Sequence, residues 1–154
     1  GSDDSFINRF ADLVRLPGPL PLACPNARFA PVYVGDVASA FVKALDDPNT
    51  QGQRYALCGP EELTLVALFD YVARNLGTAK TILSLPDWLS RLQASLLQFA
   101  PGKPFTPDNY RSLQLPSVCA CNALETLGIT PTAMDAIVPG YLAPRAHKGP
   151  RGLL

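Results

Sequence analysis

Arg28-Phe29-Ala30-Pro31-Val32-Tyr33-Val34-Gly35-Asp36-Val37-Ala38-Ser39-Ala40 decides how the chain is read. Val32-Tyr33-Val34 is apolar and β-branched at alternate positions, which predicts a short buried strand. Asp36 stands just before the pattern Val37, Phe41, Leu45, so it is assigned the cap of the following helix. Alternation places Tyr33 on the opposite side of the strand from Val32 and Val34, in the core or lining a cleft. Arg28 precedes the strand, as a surface charge or as an anion ligand. A guanidinium suits a phosphate because it can donate two parallel hydrogen bonds.

Working outward, Phe6, Phe10, Leu13 and Val14 fall on one helical face, with Asp3, Asp4 and Ser5 in its first turn. Pro17-Gly18-Pro19 ends that helix, and residues 19–31 read as an irregular crossing segment. After the Asp36 helix, Asn49 to Gly52 turns the chain and Arg54–Cys58 reads as a second strand closed by Gly59-Pro60. Thr64 caps a strong helix carrying Leu65, Leu68, Phe69, Val72 and Leu76, with Gly77 as its left-handed stop. Thr81-Ile82-Leu83 is the third strand. Trp88, Leu89, Leu92, Leu96 and Phe99 share the face of a helix opened by Pro86 and ended by Pro101. Core packing is the expectation for this wide stripe, although its sparse charge also fits a partner- or membrane-facing element. Thr106-Pro107-Asp108 and Thr130-Pro131 each open a further helix. Ile137, Val138 and Leu142 follow the second of these, with Pro139 kinking or ending the helix. The order predicts an α/β domain of about three short strands and five or six helices. It spans residues 1–143, and a flexible basic tail occupies 144–154.

Composition narrows the function. The chain has 154 residues with 13 basic and 13 acidic side chains, so no broad field favours nucleic acid or anionic membrane. No apolar run is long enough to span a bilayer. The four cysteines, Cys24, Cys58, Cys119 and Cys121, are too scattered for a disulfide framework and read as thiols in a reducing compartment. The one histidine, His147, lies in the tail, so neither a metal site nor a Ser-His or Cys-His pair is expected. No glycine-rich dinucleotide turn occurs, and no tyrosine is followed four places later by lysine. The residues supply no catalytic group and no cofactor-binding motif.

Asp4-Ser5-Phe6-Ile7-Asn8-Arg9-Phe10-Ala11, Leu20-Pro21-Leu22, Pro31 to Ala38, Gly59-Pro60-Glu61, Leu63-Thr64, Leu85-Pro86, Thr106-Pro107-Asp108 and Leu127-Gly128-Ile129 share their order and spacing with a known group. The chain resembles the C-terminal half of atypical or extended short-chain dehydrogenase/reductases, the NAD-dependent epimerase/dehydratase class. Within that class it is most similar to the NAD(P)-binding accessory subunits of respiratory complex I and their bacterial relatives. The resemblance covers residues 4–142. It implies the substrate- or partner-facing half of a Rossmann-type protein, with NAD(P) held in an N-terminal half not contained in this sequence. This chain alone would be inactive. Any redox or epimerase activity would belong to the longer protein, and a non-catalytic domain docking on a respiratory or membrane-associated assembly is the alternative. Arg28 sits near the arginine with which sugar-nucleotide epimerases contact substrate phosphate. The implied partners are the Rossmann half, a phosphate-bearing small molecule or respiratory-complex subunits. The implied location is cytoplasmic, with a peripheral place at the inner membrane as the variant. Without its other half, such a domain would expose an apolar surface near the first helix and Val32–Val34.

Overall fold

The computed structural model describes residues 5–97, 99 and 105–142. The acidic pair at 3–4, Pro101, His147 and the basic tail at 144–154 lie outside these residues. Among the described residues the order is α1 (Ser5–Arg15), β1 (Leu20–Leu22), β2 (Arg28–Phe29), α2 (Val34–Asp46), a 3-10 turn (Pro48–Thr50), β3 (Leu63–Thr64), α3 (Leu65–Asn75), β4 (Ile82–Ser84), α4 (Asp87–Leu97), α5 (Pro107–Leu113), α6 (Ala123–Thr126) and α7 (Met134–Leu142). The domain is therefore mixed α/β and mostly helical, with strands of only two or three residues. β1 pairs in parallel with β4, and β2 pairs antiparallel with β3, so the described residues form two small ladders and no continuous sheet.

The core gathers where α1, α3 and α7 meet. Ile7, Ala11 and Val14 pack with Leu68, Phe69 and Val72, and with Val138 and Leu142. Thr64 caps α3 as expected, its hydroxyl accepting from Ala67 N at 3.2 Å, and Gly77 leaves the helix at φ +64°. Thr106 likewise caps α5, in a reciprocal pair with Asn109.

Several expectations are corrected. Val32–Val34 is not a strand. Pro31 has no N–H to give a ladder, and Tyr33 O already accepts from Asp36 N and Val37 N, at 3.1 and 3.2 Å, so the helix begins at Val34. Asp36 is not the cap. Tyr33 occupies that position without a side-chain bond, and Asp36 falls within the first turn. Arg54–Cys58 forms no strand and is tied through single contacts such as Ala123 N to Ala56 O at 2.9 Å. Leu20–Leu22, expected to be irregular, is a strand because Ile82–Ser84 lies beside it. The last helix starts at Met134 rather than at Thr130-Pro131.

The expected apolar faces are also displaced. In α1 the buried residues are Ile7, Ala11 and Val14, while Phe6 and Leu13 reach the surface. In α4 the buried residues are Ser90 and Ala94, and Trp88, Leu92 and Leu96, like Phe99 beyond the helix end, are exposed. In α2 only Asp36 and Ala40 are buried, and Val34, Phe41, Val42 and Leu45 are exposed, Leu45 at 86%. These side chains form an exposed apolar stripe along α2. Replacing Phe41 and Leu45 together with glutamine is expected to change stability by less than about 0.5 kcal/mol, because both side chains are largely exposed. Thermal unfolding checks this, and a loss above about 1 kcal/mol would show that the stripe is held within the fold.

Candidate functional site

The structure forms two separate concavities on either side of β2. Arg28 and Phe29 are successive strand residues, and neighbours on a strand point to opposite faces. Phe29 therefore lines one concavity and Arg28 the other. The two predicted site residues, Arg28 and Tyr33, are thus not brought together, since Tyr33 lies with Phe29.

The larger concavity is an open groove of about 710 Å³, walled mainly by Phe6, Phe29, Val32, Tyr33, Ile137 and Tyr141. It is apolar and lies beside the first helix and the Val32–Val34 segment, where an exposed apolar surface is expected. An aromatic row supports its floor. Phe6 and Phe29 have ring centroids 5.6 Å apart, Phe6 and Phe10 4.5 Å, and Phe10 stacks on Phe69 at 4.3 Å. Tyr33 covers Gly35, where a Cβ would fall 2.3 Å from its ring, so glycine is required for that ring position. Two further contacts shape the walls. Gly59 lies directly on Pro31, its N–H donating to Ala30 O at 3.3 Å. Asp36 is buried and reaches across from α2 to the segment before α7. Its carboxylate accepts from Thr132 N at 2.7 Å and from Thr132 Oγ1 at 2.8 Å. Asp36 therefore braces the start of the helix that carries Met134, Ile137 and Val138 into the groove.

The smaller concavity is a cleft of about 400 Å³ with a mixed lining, Cys24, Asn26, Arg28, Asp87, Ser90 and Gln114 standing among Pro25, Leu85, Pro86 and Leu113. Arg28 is half exposed and already paired with Glu62. An exposed ion pair of this kind is worth about 0–1 kcal/mol, so an incoming anion would displace Glu62 at little cost. Asp87 accepts the hydroxyl proton of Tyr110 and pairs with Arg91 at 3.2 Å, and Arg91 Nε donates to Tyr110 OH at 3.0 Å. The bond to Asp87 holds the Tyr110 proton in place and pushes its pKa up. Burial pushes the Cys24 thiol up, against a 3.4 Å hydrogen bond from Gln114. Neither group is thereby activated for proton transfer or nucleophilic attack near neutral pH. No three His, Cys, Asp or Glu side chains group as metal ligands among the described residues.

The cysteines depart from the expectation of free thiols. Cys58 and Cys119 form a disulfide, leaving Cys24 half-buried and Cys121 exposed as thiols. Sequence spacing does not reveal this pair, because Cys58 and Cys119 are 61 positions apart and only the tertiary fold brings them together.

Fold and site together define a small α/β domain with an open apolar groove, an adjacent apolar helix stripe and a separate cleft of mixed lining. No family model matches the chain. Among curated proteins it is similar to NADH dehydrogenase (ubiquinone) 1 alpha subcomplex subunit 9, mitochondrial. The Arabidopsis thaliana protein is 32% identical over 128 residues, which is 82% of this chain and 31% of the relative. The Mus musculus protein is 29% identical over 140 residues, 88% of this chain and 37% of the relative. The Dictyostelium discoideum protein is 26% identical over 142 residues, 88% and 39%. The chain thus spans between 31% and 39% of the length of these relatives. The comparison supports the relation to complex I accessory subunits. No helix among the described residues is long and apolar enough to cross a membrane.

Proposed function

We propose that this domain is the C-terminal, partner-facing half of a short-chain-dehydrogenase-like protein of the complex I accessory type, non-catalytic by itself. NAD(P) would be held by the other half. The observation that carries this is the exposed apolar stripe of α2 beside the open apolar groove. An exposed apolar stripe calls for a covering surface, and the chain spans only 31–37% of the length of these subunit 9 relatives, which supports a further segment of a longer protein as that cover. In this reading Tyr33 packs in the interface and Asp36 braces its wall. The location would be peripheral to a membrane-bound respiratory assembly. A second reading has one observation in its favour: Arg28, which lines the smaller cleft, could take a phosphate-bearing small molecule in exchange for Glu62.

Amide chemical shifts separate the two. Titration with the Arabidopsis subunit 9 segment that this chain does not match is expected to move resonances of Val34, Phe41 and Leu45. NADPH added to the domain alone is expected to move none. Shifts clustered on Arg28 and Gln114 with a nucleoside-diphosphate sugar would establish the cleft as a substrate site. Tight NADPH binding would overturn the proposed division between the halves.

A further inference from the structure

We propose that Cys58, Cys119 and Cys121 form a thiol–disulfide exchange site in which the exposed Cys121 displaces Cys58 from Cys119. Cys119 and Cys121 are separated only by Ala120, and the chain bends at Ala120 and Cys121. An extended chain would hold Cα atoms two residues apart at about 7 Å. A bend shortens that distance toward the roughly 4.4–6.8 Å that a disulfide spans. The attacking group is at the surface, whereas Cys58 is buried, so the exchange moves the free thiol from outside to inside.

The step balances without an external oxidant or reductant. Cys121 loses its proton, its thiolate attacks Cys119 Sγ, the Cys58–Cys119 bond breaks, and the Cys58 thiolate takes up a proton. Exchange proceeds through the thiolate and quickens as pH rises.

The surrounding structure tolerates the change. The Cys58 backbone is held independently by Asn122, whose Nδ2 donates to Cys58 O at 2.7 Å and whose Oδ1 accepts from Cys58 N at 3.2 Å. Ala123 N also donates to Ala56 O at 2.9 Å. The disulfide is therefore not the sole tie between these segments. Its loss has a defined consequence, because Cys58 precedes Gly59, which lies on Pro31 in the groove wall. Ser117, two residues before Cys119, bridges Phe29 on the same wall. Exchange loosens the groove from one side while the core of α1, α3 and α7 stays intact.

The test is disulfide mapping of the full chain carrying Cys24→Ser, which removes the remaining thiol. The protein is incubated at mildly alkaline pH without reductant, quenched in acid with N-ethylmaleimide, digested and weighed. The expected product is a maleimide-labelled Cys58 peptide with a peptide in which Cys119 and Cys121 are joined, lighter by two hydrogens. Adding Cys121→Ser is expected to return Cys58 labelling to that of the unincubated sample. Maleimide found only on Cys121 after long incubation, with Cys58 never labelled, would overturn the proposal. So would Cys58 labelling that persists in the Cys121→Ser protein.

Discussion

Replacing Asp36 with alanine is expected to lower the stability of the domain by about 3 kcal/mol. The carboxylate is buried and accepts two bonds from one residue, Thr132 N at 2.7 Å and Thr132 Oγ1 at 2.8 Å. Hydrogen bonds to a charged group contribute about 1.5–3 kcal/mol each, and truncation leaves a half-buried N–H and hydroxyl without their acceptor. For a chain of this length each kcal/mol moves the midpoint by about 2–4 °C, so Tm should fall by roughly 6–12 °C. Asp36→Asn keeps the shape and an acceptor for the N–H, and is expected to cost about half as much. The effect should be local as well as global. Amide exchange should quicken at Thr132 and along the start of α7, because Asp36 is what ties that segment to α2. A Tm within one degree or so of the parent would mean that Thr132 is held by other contacts, and that Asp36 does not brace the groove.

Gly59→Ala is the second large effect, expected at about 2–3 kcal/mol. A Cβ at position 59 would fall 1.8 Å from Pro31 O and 2.8 Å from Pro31 C. Both are backbone atoms, so no rotamer change can relieve the overlap. One segment must move, and the bond from Gly59 N to Ala30 O is lost with it. Gly59 is not among the glycines with positive φ, so the penalty is steric rather than conformational. Gly52→Ala is the matched control. Gly52 sits at φ +74° with nothing within 4 Å of the added methyl, and is expected to cost only about 1 kcal/mol. Urea unfolding of the two variants checks the contrast. Equal losses would mean that the close approach of Gly59 to Pro31 does not constrain the groove wall.

What the sequence yields depends on the range of the interaction. Thr64, Gly77 and Thr106 act on backbone groups within a few residues, so their roles are readable from neighbouring positions alone. The apolar stripe of α4 is equally readable as a stripe. Periodicity shows that Trp88, Leu92 and Leu96 share a face, but carries no information about which face meets a neighbour. The fold buries Ser90 and Ala94 instead, and leaves the large side chains outside. The same distinction governs α2, where Phe41 and Leu45 look like core residues and are not.

The site follows this division. Arg28 and Tyr33 stand out in the sequence through their place around one short segment. Their assignment to different concavities depends on β2, where Arg28 and Phe29 point to opposite faces and Tyr33 lies on the side of Phe29. Asp36 signals a helix start and does lie in the first turn of α2. Its partner Thr132 is 96 positions away, a distance no local pattern encodes.

By itself the sequence determined the α/β character, the strong helix after Thr64 and a resemblance carried by short motifs in order. These rest on local propensity and spacing. The tertiary structure alone decided the Cys58–Cys119 pair, the Asp36–Thr132 brace, the contact of Gly59 with Pro31 and which apolar faces remain uncovered. Each of these joins residues far apart in the chain, and their energy depends on distances that exist only once the helices and short ladders have packed.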